Sequence, residues 1–276
     1  MRIWHQSFTV LQDLPAYADA LKLRIGEVVR PDTEVVLHGQ IPGTYTSDYP
    51  GSDLAYGVLY WMHGLQWLAA AREAQQQGFD AMVLASIAGP MAREIRTIVD
   101  IPVVGYGEAA FNLAGLYGRR AGMLFFIKER LDFWPEQLRH WGLENRFAGI
   151  EHAGVSFKDV LAGHMDPSRR DAVVARIVEQ GEKLVRETGA DVIVPGELPM
   201  NLLLSKAGVE RIGGATVVDG LAVSFKMAEM MVDLRRLSGM RPSNHGYFHQ
   251  SPDPRRFEQV LQFYGVSELG SKIPEC

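Results

Sequence analysis

Two segments of this chain echo one another, and the echo limits what the chain can fold into. Gly78-Phe-Asp-Ala-Met-Val-Leu-Ala-Ser86 and Gly189-Ala-Asp-Val-Ile-Val-Pro-Gly-Glu197 each follow a helical pattern and open on a glycine. Each then carries an aspartate two residues on, runs through apolar residues and ends in a polar one, with a proline soon after at Pro90 and Pro199. A glycine suits the exit from a helix, and an unbroken apolar run suits a parallel strand covered on both faces. The repetition therefore predicts two similar lobes built from one unit. In open α/β sheets ligands bind beyond the carboxyl ends of strands. If the lobes face each other, Ser86 and Glu197 meet across a cleft.

The rest of the chain continues the alternation. Strand patterns fall at 2–4, 34–38, 81–85, 102–104, 121–127, 192–194 and 215–218. Helical patterns fall at 14–29, 54–77, 91–98, 108–116, 130–141 and 167–187, the last with Val173, Val174, Ile177, Leu184 and Val185 at helical spacing. A further helix places Leu221, Phe225, Ala228 and Val232 on one face. Residues 39–51, rich in Gly, Pro, Thr and Ser, read as a loop. The fold class expected is α/β, with two pseudo-symmetric lobes, each a parallel sheet flanked by helices, and the active site between them.

Composition narrows the function. The 276 residues suffice for one large domain or two ordinary ones, and 47% hydrophobic with 22% charged residues is a globular balance. A net charge of −5, with acids and bases interspersed, offers no footprint for nucleic acid. The one cysteine, Cys276, permits no intrachain disulfide and fits a reducing compartment. No signal-peptide pattern opens the chain and no apolar run is long enough for a bilayer, so a cytoplasmic protein without membrane contact is expected.

Two motifs invite other chemistries. Gly105-Tyr106-Gly107-Glu108-Ala109-Ala110 matches a GxGxxA dinucleotide fingerprint, and Glu129 lies where a ribose-binding acid belongs. The alternative is an ordinary strand–helix turn, whose amides can still hold a substrate carboxylate. His245 and His249 have the spacing of a metal pair, but Pro242, Gly246 and Pro252 argue against a helix there. There is no Walker loop, HExxH or GxSxG motif.

Three stretches carry a resemblance: 78–90 (GFDAMVLASIAGP), 99–118 (VDIPVVGYGEAAFNLAGLYG), and 190–200 (ADVIVPGELPM) with 218–234 (VDGLAVSFKMAEMMVDL) after it. In order and spacing they resemble the aspartate/glutamate/hydantoin racemase superfamily, the hydantoin racemase branch most of all. The resemblance implies two lobes, here 1–105 with 220–276 and 106–219, and a cofactor-independent site between them. Members use two opposed cysteines as acid and base on a carbon acid. Those cysteines fall on Ser86 and Glu197, and the threonine that usually follows the second falls on Leu198.

A thiol tunes toward neutrality and works as a base, whereas a serine hydroxyl serves as a hydrogen-bond donor, an oxyanion stabiliser or an activated nucleophile. A partly buried glutamate is a competent acid–base group. The expected catalytic residues are Ser86, Glu197 and His5, the last as activator of Ser86, as a second acid/base, or as a strand-end histidine bonded to backbone. Gln6, Ser7, Thr44, Tyr45, Ile87, Gly107 and Leu198 are the expected substrate contacts. Tyr49, in the same loop as Tyr45, is a further loop candidate. Tyr60, Trp61 and His63 read as core packing on a helix.

The tail 241–276 departs from the family pattern, and Phe257, Val260, Leu261 and Tyr264 give it a helix to pack on the first lobe or on another subunit. With the methionines of 227–231, and by resemblance, a homo-oligomer is expected. Three functions follow. One is an isomerase or lyase working by proton transfer beside a carbonyl of a small carboxylate or hydantoin-like substrate. The others are a hydrolase of a small amide, imide or lactone, and a non-catalytic small-molecule binder. The partner is a small molecule in each case, and no metal is expected.

Overall fold

The computed structural model describes residues 1–46 and 51–276. In chain order the strands are β1 (Arg2–Ser7), β2 (Glu34–His38), β3 (Ala81–Ala85), β4 (Val103–Gly105), β5 (Ala121–Phe125), β6 (Phe147–His152), β7 (Val192–Pro195), β8 (Arg211–Ile212) and β9 (Ala215–Val217). The helices are α1 (Pro15–Val28), α2 (Gly51–Leu54), α3 (Gly57–Gln76), α4 (Ala92–Ile95), α5 (Tyr106–Tyr117) and α6 (Trp134–His140), then α7 (Phe157–Met165), α8 (Pro167–Thr188), α9 (Leu198–Lys206), α10 (Gly220–Ser238) and α11 (Pro254–Phe263).

They build two sheets. The first has strand order β2-β1-β3-β4 and is parallel throughout, and the second has order β6-β5-β7-β9-β8, parallel except for the β8–β9 pair. Helices flank both, so the protein has the two-lobed α/β architecture that the alternating pattern predicts. The echoed strands β3 and β7 are interior in their sheets, and every one of their residues is buried.

The echo has a shared physical cause. Gly78 and Gly189 leave α3 and α8 in the left-handed region, at φ of 74° and 67°, where glycine is the least strained residue. The aspartates that follow hold the neighbouring strand: Asp80 accepts the Arg2 amide at 2.7 Å, and Asp191 accepts the Arg120 amide at 2.8 Å. Each aspartate thus ties its strand to the start of the parallel neighbour, β1 in one sheet and β5 in the other. A carboxylate receiving backbone N–H groups is a strong, charge-assisted contact.

Helix α10 lies on β3 and β4 and against α5, with Leu221, Phe225, Ala228 and Val232 buried. A polar knot joins the two halves beside it. The Tyr106 hydroxyl donates to the Pro195 carbonyl at 2.8 Å; Asn201 donates to Asp219 at 2.9 Å and accepts the Gly220 amide at 2.8 Å; Arg24 pairs with Asp219 at 2.8 Å. Because buried polar groups are costly unless bonded, these bonds favour one arrangement of the two sheets, although the buried Arg24 Nε has no partner among the described residues.

Several elements differ from the sequence expectation. β1 runs on to Ser7, three residues past the expected end, because it is paired on both sides and buried throughout that extension. The 130–141 segment divides into a 3-10 turn, Lys128–Phe133, and α6, which takes Pro135 in its first turn. Strand β6 and helices α7 and α9 were not expected. β6 is an edge strand of intermediate burial whose glycine, Gly149, and charged end weaken the apolar pattern, and α9 is a short helix buried all round its first two turns, with no polar face to reveal its period. The tail forms α11 and packs on the first sheet's side: Arg72 of α3 pairs with Glu258 at 2.6 Å and lies over the Phe257 ring, and Glu275 bridges to His38. No helix among the described residues is long and apolar enough to cross a membrane.

Candidate active site between the two sheets

The carboxyl ends of four strands converge on one small cavity. At the end of β1 come Ser7, Phe8 and Thr9; at the end of β3, Ala85 and Ser86; beyond β5, Phe126 and Ile127; beyond β7, Glu197 and Pro199, with Tyr17, Gly51, Leu54 and Phe157 completing the wall. Its volume of about 40 Å³ holds only a few waters. Ser86 and Glu197, named from the repeat alone, thus line one cavity.

Glu197 occupies the N-cap of α9 with extended backbone, and its side chain makes no capping bond. The residue is 9% exposed, and burial pushes its carboxyl pKa up to about 8, with the Arg130 cation pulling back against that rise. Neighbouring Gly196 is required by close approach, since a Cβ there would meet the Phe125 ring at 2.5 Å and the Leu124 carbonyl at 2.6 Å. The chain can therefore deliver Glu197 into the cavity only from a residue without a side chain. Ser86 is buried, its carbonyl accepts the Gly89 amide at 3.2 Å, and its hydroxyl has no partner among the described residues. A hydroxyl and a protonatable carboxyl that line one cavity with mainly apolar and aromatic walls suit acid–base work at a carbon centre.

The remaining expected residues divide by geometry. Ser7 lines the cavity, its hydroxyl 2.8 Å from that of Thr9. Gln6, Thr44 and Tyr45 do not line it. Gln6 donates to the carbonyls of Ser7 and Gly39 and accepts from Trp4 Nε1; Tyr45 donates to the Phe8 carbonyl at 2.6 Å; Thr44 donates to the Ile41 carbonyl and accepts from Gln66. These side chains hold the strand end that carries Ser7 and Phe8. Tyr49 lies outside the described residues.

His5 also stays away from the cavity. It points to the face of β1 covered by α10, stacked at 6.3 Å on Phe225, with both ring nitrogens buried and unpartnered among the described residues. Burial first, and His38 second, lower its pKa to about 3, so the ring is neutral. The alternation of a strand explains the difference: Ser7 shares the side of His5 but lies beyond the end covered by α10. Ile87 and Leu198 are core residues, and Gly107 is fixed by packing, because a Cβ there would lie 2.0 Å from the Ile87 carbonyl and 2.6 Å from the Trp141 ring. The space that a fingerprint glycine would leave for a pyrophosphate is filled by the protein itself. His245 and His249 are exposed on irregular chain, and no group of three or more metal-binding side chains occurs among the described residues.

Sequence reasoning missed Tyr17 and Arg130. Tyr17 reads as an apolar-face residue of α1, yet it lines the cavity, and burial, then Glu197, keeps its phenol protonated. Arg130 sat in a segment read as plain helix. In the 3-10 turn it is 5% exposed, its guanidinium 4.7 Å from the Tyr60 ring centre and 4.4 Å from that of Phe133. Only an aromatic pair, Tyr60 and Phe133, far apart in sequence, reveals a buried cation there.

Comparison with known proteins agrees with this picture. The family model described as Asp/Glu/Hydantoin racemase matches residues 16–228. A hydantoin racemase of Pseudomonas sp. (strain NS671) is 23% identical over 201 residues, covering 73% of this chain and 76% of that protein. One from Rhizobium meliloti is 27% identical over 165 residues, covering 60% and 65%. Among solved structures, an allantoin racemase from Klebsiella pneumoniae superposes with a TM-score of 0.71 at 23% identity, over 92% of this chain and 94% of that one.

Proposed function

The chain belongs to the Asp/Glu/hydantoin racemase family, and from that premise we propose that it is a cofactor-independent isomerase or lyase that moves a proton at a carbon next to a carbonyl. The observation that carries this reading is Glu197: a buried carboxyl in the inter-sheet cavity with its pKa raised to about 8. Such a group gives and takes a proton near neutral pH, the condition for efficient general acid–base catalysis. Ser86, Tyr17 and Thr9 supply neutral hydroxyls to the same space. They receive the negative charge that develops on the carbonyl oxygen as the carbon loses its proton.

The site is asymmetric. Glu197 abstracts a proton on one face, and the opposite wall offers a hydroxyl in place of a second base. One-sided proton exchange, elimination or decarboxylation fits this better than free interconversion of mirror images. Hydrolysis is supported less, because the Ser86 hydroxyl has no base bonded to it among the described residues. The substrate class is a small carboxylate or a hydantoin-like ring, the class named for the relatives.

The test is proton exchange in heavy water. Candidate carboxylates and hydantoins are incubated with the protein, and deuterium at the carbon beside the carbonyl is followed by NMR. Exchange that disappears in Glu197→Gln is the expected result. Near-normal exchange in that variant would remove Glu197 from the mechanism, and oxygen from labelled water entering the product would turn the reading to hydrolysis.

A further inference from the structure

Next to the small cavity lies a much larger cleft of about 990 Å³, open to solvent, whose wall includes Leu54, Tyr60, Ala88, Gly89, Arg130 and Trp141. The two spaces are neighbours in the chain as well. Leu54 lines both; the turn after Ser86 runs into Ala88 and Gly89; and the Arg130 amide donates to the carbonyl of Ile127, a cavity residue, at 3.1 Å. Leu54 thus forms part of the partition between the cleft and the cavity that holds Ser86 and Glu197.

Arg130 is the deep cation of that cleft. It is 5% exposed, and among the described residues no carboxylate lies within ion-pair distance of it. A buried charge without a counter-ion is expensive. Stacking on Tyr60 and Phe133 offsets part of that cost. Arg130 also shares a side-chain hydrogen bond with Tyr60, which takes up one of its N–H donors and leaves the others for a ligand. A fixed fork of N–H donors is the arrangement that binds a carboxylate through two parallel hydrogen bonds. The acids of the cleft do not meet this need: Glu129 and Glu136 are exposed and screened by water, Glu108 is paired with Arg96, and the half-buried Glu94 forms no ion pair with Arg130. Arg93, with a buried and unpartnered Nε, is a second cation on the wall, stacked on Phe248 and only half-buried.

We propose that Arg130 is the specificity-determining residue of this protein, binding a carboxylate of the substrate in the cleft while the carbon that loses its proton reaches Glu197. This rests on the proton-transfer reading given above and narrows it. Of the two substrate classes, a molecule bearing a free carboxylate is taken in preference to a neutral ring. Neutralising Arg130 also removes the attraction that holds Glu197 toward its ionised form, so carboxylate binding and proton abstraction are linked through one cation.

The experiment is a binding comparison with succinate and its neutral diamide, read by quenching of the fluorescence of Trp61 and Trp141 on the cleft wall. The wild-type protein is expected to bind succinate and to bind the diamide at least about tenfold more weakly, the size of a lost charge-assisted hydrogen bond. Arg130→Met, close in volume, is expected to lose that preference, while Arg93→Gln keeps it. Equal affinity for the two probes, no binding of succinate by the wild type, or preference lost in Arg93→Gln and kept in Arg130→Met would each overturn the proposal. If Arg130→Met does not fold, Arg130→Lys decides: it keeps the charge and loses the fork, so weaker succinate binding supports the proposal and unchanged binding overturns it. The comparison involves no turnover. Its failure leaves the Glu197 mechanism standing, and a Glu197→Gln variant that still exchanges protons defeats that mechanism without altering the binding result.

Discussion

Arg130 and Glu197 interact without touching: the guanidinium stays beyond ion-pair distance of the carboxyl yet lies close enough to pull its pKa down against the effect of burial. A direct pair would leave the carboxylate ionised and poorly basic. Separation leaves it a group with a pKa of about 8.

The first consequence is a pH dependence. In the proposed reaction Glu197 is the base and would act only when ionised, so exchange catalysed by the wild type should rise with pH through about 8. Arg130→Met removes the lowering influence, and the rise should move to higher pH. Initial exchange rates between pH 6 and 10 (about the range in which folded carboxyls of this kind titrate) check both. A profile that stays in place in Arg130→Met contradicts the coupling.

Ser86 supplies a hydroxyl and no proton-accepting base. Ser86→Ala should slow exchange by about a hundredfold to a thousandfold, the range for one lost oxyanion donor, with the pH midpoint unchanged. Ser86→Cys places a thiol opposite Glu197 and should make activity sensitive to iodoacetamide. The unmodified protein should resist it, because Cys276, the one cysteine, is absent from the cavity wall and its thiol is pushed up by burial. Alkylation and rate measurement on both proteins separate the outcomes.

Gly196→Ala tests how tightly Glu197 is delivered. The added methyl meets strand β5 at its backbone and at Phe125, so roughly 1–3 kcal/mol of stability should be lost to overpacking. Activity should fall further than stability, since the shift passes directly to the next residue. Gly78→Ala is the comparison: its Cβ meets nothing within 4 Å, and only its φ of 74° opposes the change. About 1 kcal/mol and near-normal activity are expected there. Urea unfolding and exchange rates measure the pair.

Acid should weaken the fold through histidines. Burial leads the lowering of His5 to about 3, and of His38 and His164 to about 4. A depressed histidine contributes stability that is full above the unfolded pKa near 6.5 and lost as pH falls toward the folded value. Each contributes a slope of up to roughly 1.4 kcal/mol per pH unit inside that window. Glu197 has the opposite sign: its raised pKa costs stability as pH rises from about 4.5 to about 8. Melting temperatures should therefore fall steeply below pH 6.5. His5→Phe, which keeps the stack on Phe225, should flatten that fall; an unchanged slope would remove His5 as a contributor.

The α/β class, two repeated units and the pair Ser86 and Glu197 were legible in the chain, because buried parallel strands write themselves as apolar runs with polar residues at their ends. The aspartates of the repeat are local devices, and local devices survive in sequence. What became of His5, Gln6, Tyr45 and Arg130 was decided by contacts between distant segments. His5 faces α10, more than two hundred residues away in the chain, and so is packed as a neutral ring. Gln6 and Tyr45 spend their hydrogen bonds on the backbone that carries Ser7 and Phe8. Arg130 becomes a buried cation only where Tyr60 of another helix comes to lie beneath it. Residue type and spacing state which chemistry is available. Burial and distance, which set a pKa and choose a partner, exist only once the two sheets have been brought together.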